Sequence, residues 1–343
     1  MCGLLERIAA RCLVQAGAGP PQVWRLGLGR SPGSTRPDHR DREAPAGAKS
    51  RWSQVAIIST RPARRGVTGA DACLPPFVPG YEVAGTVRAA PASAELRPGD
   101  RVVALTWLGG FAELAVGPAF ATFRLPARLG FAQGAALALN LYTAYFALRL
   151  RGRLQSGETV LVHGAAGGLG SAALQIARGL GARSIAVLSS PERSASPARR
   201  ALTRCCGWTL PGAIRRELTG GRGVDVVLDP VGGEHVIDSL RALGLDGRVV
   251  AVGFSPGSIP QLKVNRLLLT NTEVVGAAST DYFRARPDVA RKIGDAVNGM
   301  VEEGQVQPIV SVRFPLERGA DALRLTEARE AVGKGVLDVR PAT

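Results

Sequence analysis

Residues 160–181 read VLVHGAAGGLGSAALQIARGLG: an apolar run ends at His163, glycines stand at 164, 167, 168 and 170, and an alanine-rich segment of helical periodicity follows. Glycines lack Cβ, so the backbone can approach a pyrophosphate, and the free N–H groups and dipole of a helix start favour its charge. The spacing is GxxGxxG rather than GxGxxG, and a tight strand-to-helix turn that binds nothing is written with the same letters. Its surroundings carry more weight. TVLVHG, SIAVLSS, VDVVLDP, RVVAVGF and TEVVGAA are short and nearly all apolar, with helical segments between most of them. Such runs suit parallel strands covered on both faces. Their alternation over about 130 residues predicts a doubly wound α/β sheet.

Outside that region the texture differs. From Pro75 the chain shows YEVAGTV, DRVVAL and FAELAV, separated by RPGD and LGG, a rhythm that predicts an antiparallel barrel or sandwich. RLPARLGFAQGAALALNLYTAYFAL reads as one or two helices over an apolar face. Residues 286–304 read as a helix, QPIVSVRFPL as a strand, and GADALRLTEAREAVG as a last helix with Gly333 as its stop signal. Residues 27–72 are dense in Arg, Pro, Gly and Ser, with apolar alternation only at QVAII. Such a segment can scarcely bury enough apolar surface to offset its conformational entropy.

The 343 residues suffice for about two domains. No apolar run approaches the roughly 18 residues of a membrane-spanning helix, and no continuous apolar block of a secretory leader opens the chain. A soluble, cytoplasmic protein is expected. Five cysteines, irregularly spaced with Cys205 next to Cys206, suggest free thiols rather than disulfides or a metal knuckle. The net charge of +15 invites a nucleic-acid reading, but its distribution argues against one: +7 falls in residues 1–75, +5 in 76–190, +5 in 191–222 and −2 in 223–343. Only four of the basic residues are Lys.

The end of the second strand discriminates between nicotinamide cofactors, because NAD sites place an acid there for the ribose 2′-hydroxyl. SIAVLSSPERS has Ser189 and Ser190 at that point, and Arg193 one turn on can meet a 2′-phosphate with a charge-assisted hydrogen bond. This favours NADP(H); Glu192 and a merely solvated Arg193 support the opposite reading.

PFVPGYEVAGTV, RPGDRVVAL, GGFAELAV, GAALALNLYTAYFAL, HGAAGGLG, GGRGVDVVLDPVGG, GRVVAVGFSPG and GKGVL together resemble the quinone oxidoreductase (zeta-crystallin-like) branch of the medium-chain dehydrogenase/reductases. The resemblance spans roughly 75–190 and 215–343. It implies a GroES-like β-barrel catalytic domain, 1–125 plus 281–343, around an inserted doubly wound Rossmann domain, 126–280, that binds NADP(H). It also implies a hydride acceptor that is a quinone or another conjugated carbonyl, with an enoyl-thioester reductase or a catalytically weak cofactor- or RNA-binding relative as alternatives. A homodimer paired through sheet edges is common in the superfamily.

By the same resemblance Gly167, Gly168 and Leu169 would touch the pyrophosphate, and Ser189 and Arg193 the adenosine phosphate. Thr143 would face the nicotinamide end, Phe254 and Ser255 the nicotinamide ribose region, and Lys334 the cofactor from the C-terminal segment. Core packing accounts equally for Thr143 and Phe254, and a solvated helix-end charge for Lys334. Zinc-dependent relatives carry a His ligand directly before the Glu of the segment resembling PGYEVAG; here that position is Tyr81, and a phenol is a poor zinc ligand. No zinc is therefore expected, and no catalytic side chain is identified. Two stretches depart from the family, 27–72, where an Asn-containing GVNFAD-like motif is missing, and 194–208, where a third strand belongs. Both are Arg-rich, flanked by clean matches, and read as out-of-frame translation.

Overall fold

The computed structural model describes residues 11–15, 51–56, 78–91, 94–188, 204–206, 214–254, 259–327 and 333–339. In chain order its strands are β1 (Arg11–Gln15), β2 (Arg51–Ala56), β3 (Glu82–Thr86), β4 (Arg101–Leu105), β5 (Leu114–Pro118) and β6 (Thr122–Arg124). There follow β7 (Thr159–Val162), β8 (Arg183–Val187), β9 (Arg204–Cys206), β10 (Val224–Asp229), β11 (Leu243–Ala251) and β12 (Glu273–Gly276), then β13 (Val310–Pro315) and β14 (Lys334–Asp338).

The middle group forms one sheet in the order β12-β11-β10-β7-β8-β9, every neighbouring pair parallel. All five apolar runs singled out in the sequence lie in it. The reason is visible in β7, whose four residues are all buried. Val160 and Val162 join the core that includes Leu174, Ile176, Phe146 and Val297, whereas Leu161 packs on the other face with Ile185, Val227 and Leu240. The chain builds outward from β7 to β9, then returns to β10 and builds the other way. The strand order therefore reverses between β7 and β10, and a crevice opens beyond their carboxyl ends.

Helix Gly168–Gly179 follows β7 and packs tightly over its end. A Cβ at Gly170 would lie 2.3 Å from the Gly164 carbonyl oxygen and 2.6 Å from Ala165 Cα, so only glycine lets the helix start this close to the strand. The expected helical segment over 124–148 is present from Phe131, and two stretches, Ala138–Tyr142 and Phe146–Arg151, are wound as π-helix, a distortion often found at functional sites.

The remaining strands form a sheet of order β13-β14-β2-β3-β4-β6, antiparallel except for β13 with β14, and a separate antiparallel ladder of β1 with β5. The described strands thus make a six-stranded sheet and a two-stranded ladder, the antiparallel part of the chain that the sequence suggested as a barrel or sandwich. Two stretches that read as departures from the family contribute strands, the first of them overlapping the QVAII alternation. β2 runs between β14 and β3, which offer ladder partners to its backbone on both sides, so pairing rather than local pattern accounts for it. β9 adds three residues at the edge beside β8. The rest of 27–72 and of 194–208 lies outside the described residues, as do 328–332 of the expected last helix, which is described over Gly319–Glu327; its expected stop residue, Gly333, has φ of +81°.

Arg248 of β11 fastens the loop that leads into β7. Its Nε donates to the Gly152 carbonyl at 2.6 Å, Nη2 donates to the Arg153 carbonyl, and Nη1 and Nη2 grip both oxygens of Glu158 at 2.9 and 2.7 Å. Burial pushes the Glu158 carboxyl up, but the Arg248 hydrogen bonds, the Gln155 N–H and the nearby guanidinium charges outweigh it and hold the group below its usual range. A carboxyl depressed by folding stabilises the native state above its unfolded-state pKa, and that contribution disappears as pH falls through the folded value. Arg248→Met is expected to cost about 3–5 kcal/mol in urea unfolding at neutral pH, with the difference from wild type shrinking as the solution is acidified below the carboxylate range.

Candidate functional site

The glycine turn stands at the crevice. The His163 N–H extends the ladder to the Leu228 carbonyl at 3.0 Å, and its buried ring Nε2 meets Ser239 Oγ at 2.8 Å. Burial pushes the imidazole below its ordinary pKa, against the pull of the Asp229 charge, so the ring behind the turn is neutral at physiological pH. Gly164 has φ of +59°, Gly167 is extended, and the Gly167 N–H closes the turn on the Gly164 carbonyl at 2.9 Å. Ser171 N–H makes the first helical bond, to Gly167. The N–H groups of Gly168, Leu169 and Gly170 thus lie in the first turn, where the helix supplies no acceptor, and the helix dipole adds positive potential. This is a cradle for an anionic group.

A second wall comes from the C-terminal strand. Gly333 bridges to Gly167, with its N–H on the Ala166 carbonyl at 3.2 Å, and the next residue, Lys334, opens β14. Lys334 is therefore not a solvated helix-end charge. Its side chain is 7% exposed, and Nζ lies 2.8 Å from Oε1 of the fully buried Glu82. The other carboxylate oxygen, Oε2, accepts from the Leu139 N–H at 2.6 Å, at the π-wound helix. One residue on, Asn140 lies against the glycine turn, its Nδ2 2.5 Å from where a Cβ on Gly168 would stand. Lys334, Asn140, Gly168, Ser171, Gln175 and Ile309 line one recess.

Thr143, one turn beyond Leu139, is buried, and its Oγ1 shares a 3.0 Å hydrogen bond with Ser279 Oγ. The adjacent Thr280 hydroxyl meets the Tyr81 phenol at 2.9 Å. Burial raises the Tyr81 pKa; the Thr280 hydrogen bond and the Arg284 charge oppose that rise and Asp281 adds to it. Phe254, half-buried, follows β11 at the same edge of the sheet, beside the Gly232 turn that Asp229 Oδ1 holds through the Val231 and Gly232 N–H groups.

The structure thus gathers Gly167, Gly168, the helix of Thr143 and Lys334 around one crevice. Leu169 is half-buried at the helix start, Phe254 stands two strands away at β11, and Ser189, Arg193 and Ser255 lie outside the described residues. Sequence reasoning passed over Glu82, Asn140, Ser279 and Thr280. Glu82 alone carried a signal, as a lone acid opening an apolar strand. Among the described residues no group of three or more His, Cys, Asp and Glu is arranged to hold a metal ion.

Residues 205–337 match a family model described as zinc-binding dehydrogenase. The chain is 34% identical over 272 residues to quinone oxidoreductase-like protein 2 of Bos taurus, an alignment covering 77% of each chain. Among solved structures it is similar to a probable oxidoreductase from Mycobacterium abscessus, at 34% identity and TM-score 0.73 over 84% of this chain and 88% of that one. It is also similar to an Escherichia coli quinone oxidoreductase complexed with NADPH, at 26% identity and TM-score 0.74 over 84% and 90% of the two chains.

Glu82→Gln leaves the Lys334 ammonium buried without its counter-charge and is expected to cost about 3–5 kcal/mol in urea unfolding. Glu82→Gln combined with Lys334→Met should recover most of that loss, a coupling that a double-mutant cycle reads directly.

Proposed function

The chain belongs to the quinone oxidoreductase (zeta-crystallin-like) branch of the medium-chain dehydrogenase/reductases, and we propose that it is an NADPH-dependent oxidoreductase that reduces a quinone or another conjugated carbonyl without zinc. The observation that carries this reading is the glycine turn at the point where the strand order reverses, walled by Gly333 and Lys334. The donor set there fits a dinucleotide: three first-turn N–H groups and a helix dipole for the pyrophosphate, with no Cβ in the way at 167 and 168.

When bound, NADPH supplies the hydride. Gly167, Gly168 and Leu169 hold the pyrophosphate, Ser189 and Arg193 take the adenosine phosphate, and Lys334 closes the site from β14. Thr143 positions the nicotinamide end through a hydroxyl that Ser279 orients. Phe254 and Ser255 border the nicotinamide ribose. Tyr81 occupies the position of the His ligand in zinc-dependent relatives, and a neutral phenol hydrogen-bonded to Thr280 suits an organic acceptor better than a cation. Domain limits of 1–125 plus 281–343, as a GroES-like barrel, and 126–280, as the Rossmann domain, go with this reading.

A homodimer fits the same family. Among the described strands β12 lies at the edge of its sheet, and the helix Asn265–Thr270 just before it exposes Leu268 and Leu269 at 75% and 77%, with Val264 beside them. An unpaired edge flanked by exposed large apolar side chains is a surface that a second copy covers.

Three measurements test this. The purified protein is expected to oxidise NADPH in the presence of a small-quinone panel, and Arg193→Glu is expected to lower its preference for NADPH over NADH by about tenfold or more, the loss of a charge-assisted phosphate contact and the gain of a repulsion; an unchanged preference would show the phosphate assignment to be wrong. Leu268→Glu with Leu269→Glu is expected to turn a dimer into a monomer by light scattering.

A further inference from the structure

β3, with the residue before it, and the helix after β12 are joined by a closed circuit of contacts. Tyr81 precedes Glu82; Glu82 accepts from Leu139; Leu139 leads by one helical turn to Thr143; Thr143 bonds Ser279; Ser279 precedes Thr280; and Thr280 bonds the Tyr81 phenol. Glu82 also holds Lys334, and Asn140 touches Gly168, so the circuit is anchored on the anion cradle at two points. The Tyr81 phenol and the Thr143 hydroxyl are therefore bonded to adjacent residues of one helix, which sets the phenol next to the space proposed above for the nicotinamide end.

The backbone at Tyr81 is held firmly. Its carbonyl accepts from both Thr106 and Trp107 N–H groups, at 2.9 and 3.2 Å, and a Cβ at the preceding Gly80, which has φ of +106°, would lie 2.4 Å from the Phe111 nitrogen. Trp107 itself takes φ of +60°, an uncommon conformation for a bulky residue, and Arg284 stacks over its ring at 4.9 Å. Arg284 stands one turn along from Thr280, so the phenol, the indole and the guanidinium share one face of the helix Ser279–Ala285.

Reduction of a conjugated carbonyl needs a proton as well as a hydride, and the side chains around this space differ sharply in their ability to give one. Aliphatic hydroxyls such as those of Thr143, Ser279 and Thr280 are far weaker acids than a phenol, whose ordinary pKa is about 10. The Lys334 ammonium is committed to Glu82, and the His163 ring is committed to Ser239 on the other side of the glycine turn. Tyr81 is protonated at neutral pH, half-buried, and joined to a second hydroxyl through which its proton can be replaced.

Resting on the reductase reading of this site, we propose that Tyr81 is its general acid, donating the phenolic proton to the oxygen of the conjugated acceptor as the hydride arrives. The hydride brings both electrons to the acceptor carbon skeleton, and negative charge develops on the acceptor oxygen. The Tyr81 O–H bond breaks as the new O–H bond forms, leaving a phenolate that Arg284 stabilises. Thr280 then passes a proton to the phenolate and takes one from water, so one NADPH, one acceptor and one proton give NADP+ and the reduced acceptor.

The test compares wild type with Tyr81→Phe, using a small quinone and a simple enone as acceptors, NADPH affinity by fluorescence titration, and solvent deuterium isotope effects on kcat. Tyr81→Phe is expected to keep wild-type NADPH affinity while kcat falls about 100-fold, within the range that removing a general acid produces. Wild type is expected to show a normal solvent isotope effect that the variant lacks. Undiminished kcat in Tyr81→Phe, or a wild-type kcat insensitive to deuterium, overturns the assignment; the second result needs no folded variant. Wild-type protein that binds NADPH yet oxidises it with neither acceptor overturns the reductase reading, and the Tyr81 assignment with it.

Discussion

The architecture around the crevice depends on one desolvated ion pair. Lys334 Nζ and Glu82 Oε1 lie 2.8 Å apart where almost no water reaches either, and the remaining carboxylate oxygen is met by the Leu139 N–H. Taking both charges out of water costs nearly what their attraction returns, so the pair adds little net stability. What it does is exclude alternatives: any arrangement that separates β14, β3 and the π-wound helix strands a buried charge. Three segments distant in sequence are thereby held at one point, and Gly333, next to Lys334, is placed against Gly167.

Around that point the site is a set of shared partners rather than a row of independent side chains. Glu82 serves Lys334 and the helix backbone, while neighbouring residues Ser279 and Thr280 serve Thr143 and Tyr81 in turn. A change at one member therefore moves the others. The close approach at Gly170 makes the opposite contribution, since it leaves the helix start no room to adjust.

The parallel sheet was legible because strands buried on both faces must be largely apolar, as β7 and the inner residues of β8, β10 and β11 are; β12, whose EVVG is mostly exposed, was legible by its place in the strand–helix alternation instead. The glycine turn was legible because its position between a strand and a helix could be read along with its letters. β2 was legible only as the brief QVAII alternation: its place between β14 and β3 depends on hydrogen bonds to strands far along the chain. Lys334 was legible as a site residue only through family resemblance, since nothing in GKGVL announces that the lysine points inward to an acid 252 positions earlier. Tyr81 was legible for what it cannot ligate, while its partner Thr280, 199 residues away, belongs to a contact that no spacing rule reaches.

The bridge between Gly167 and Gly333 has a kinetic consequence. Its two halves are separated by nearly half of the chain, so their meeting bears a large loop-closure entropy and comes after the local strand–helix units have formed. During synthesis the parallel sheet can assemble as soon as β12 leaves the ribosome, but the anion cradle keeps one side open until β14 has emerged and docked. Nucleotide affinity in such a molecule is a late-acquired property, gained in the final step of folding and sensitive to any event that arrests the chain before Lys334 finds Glu82.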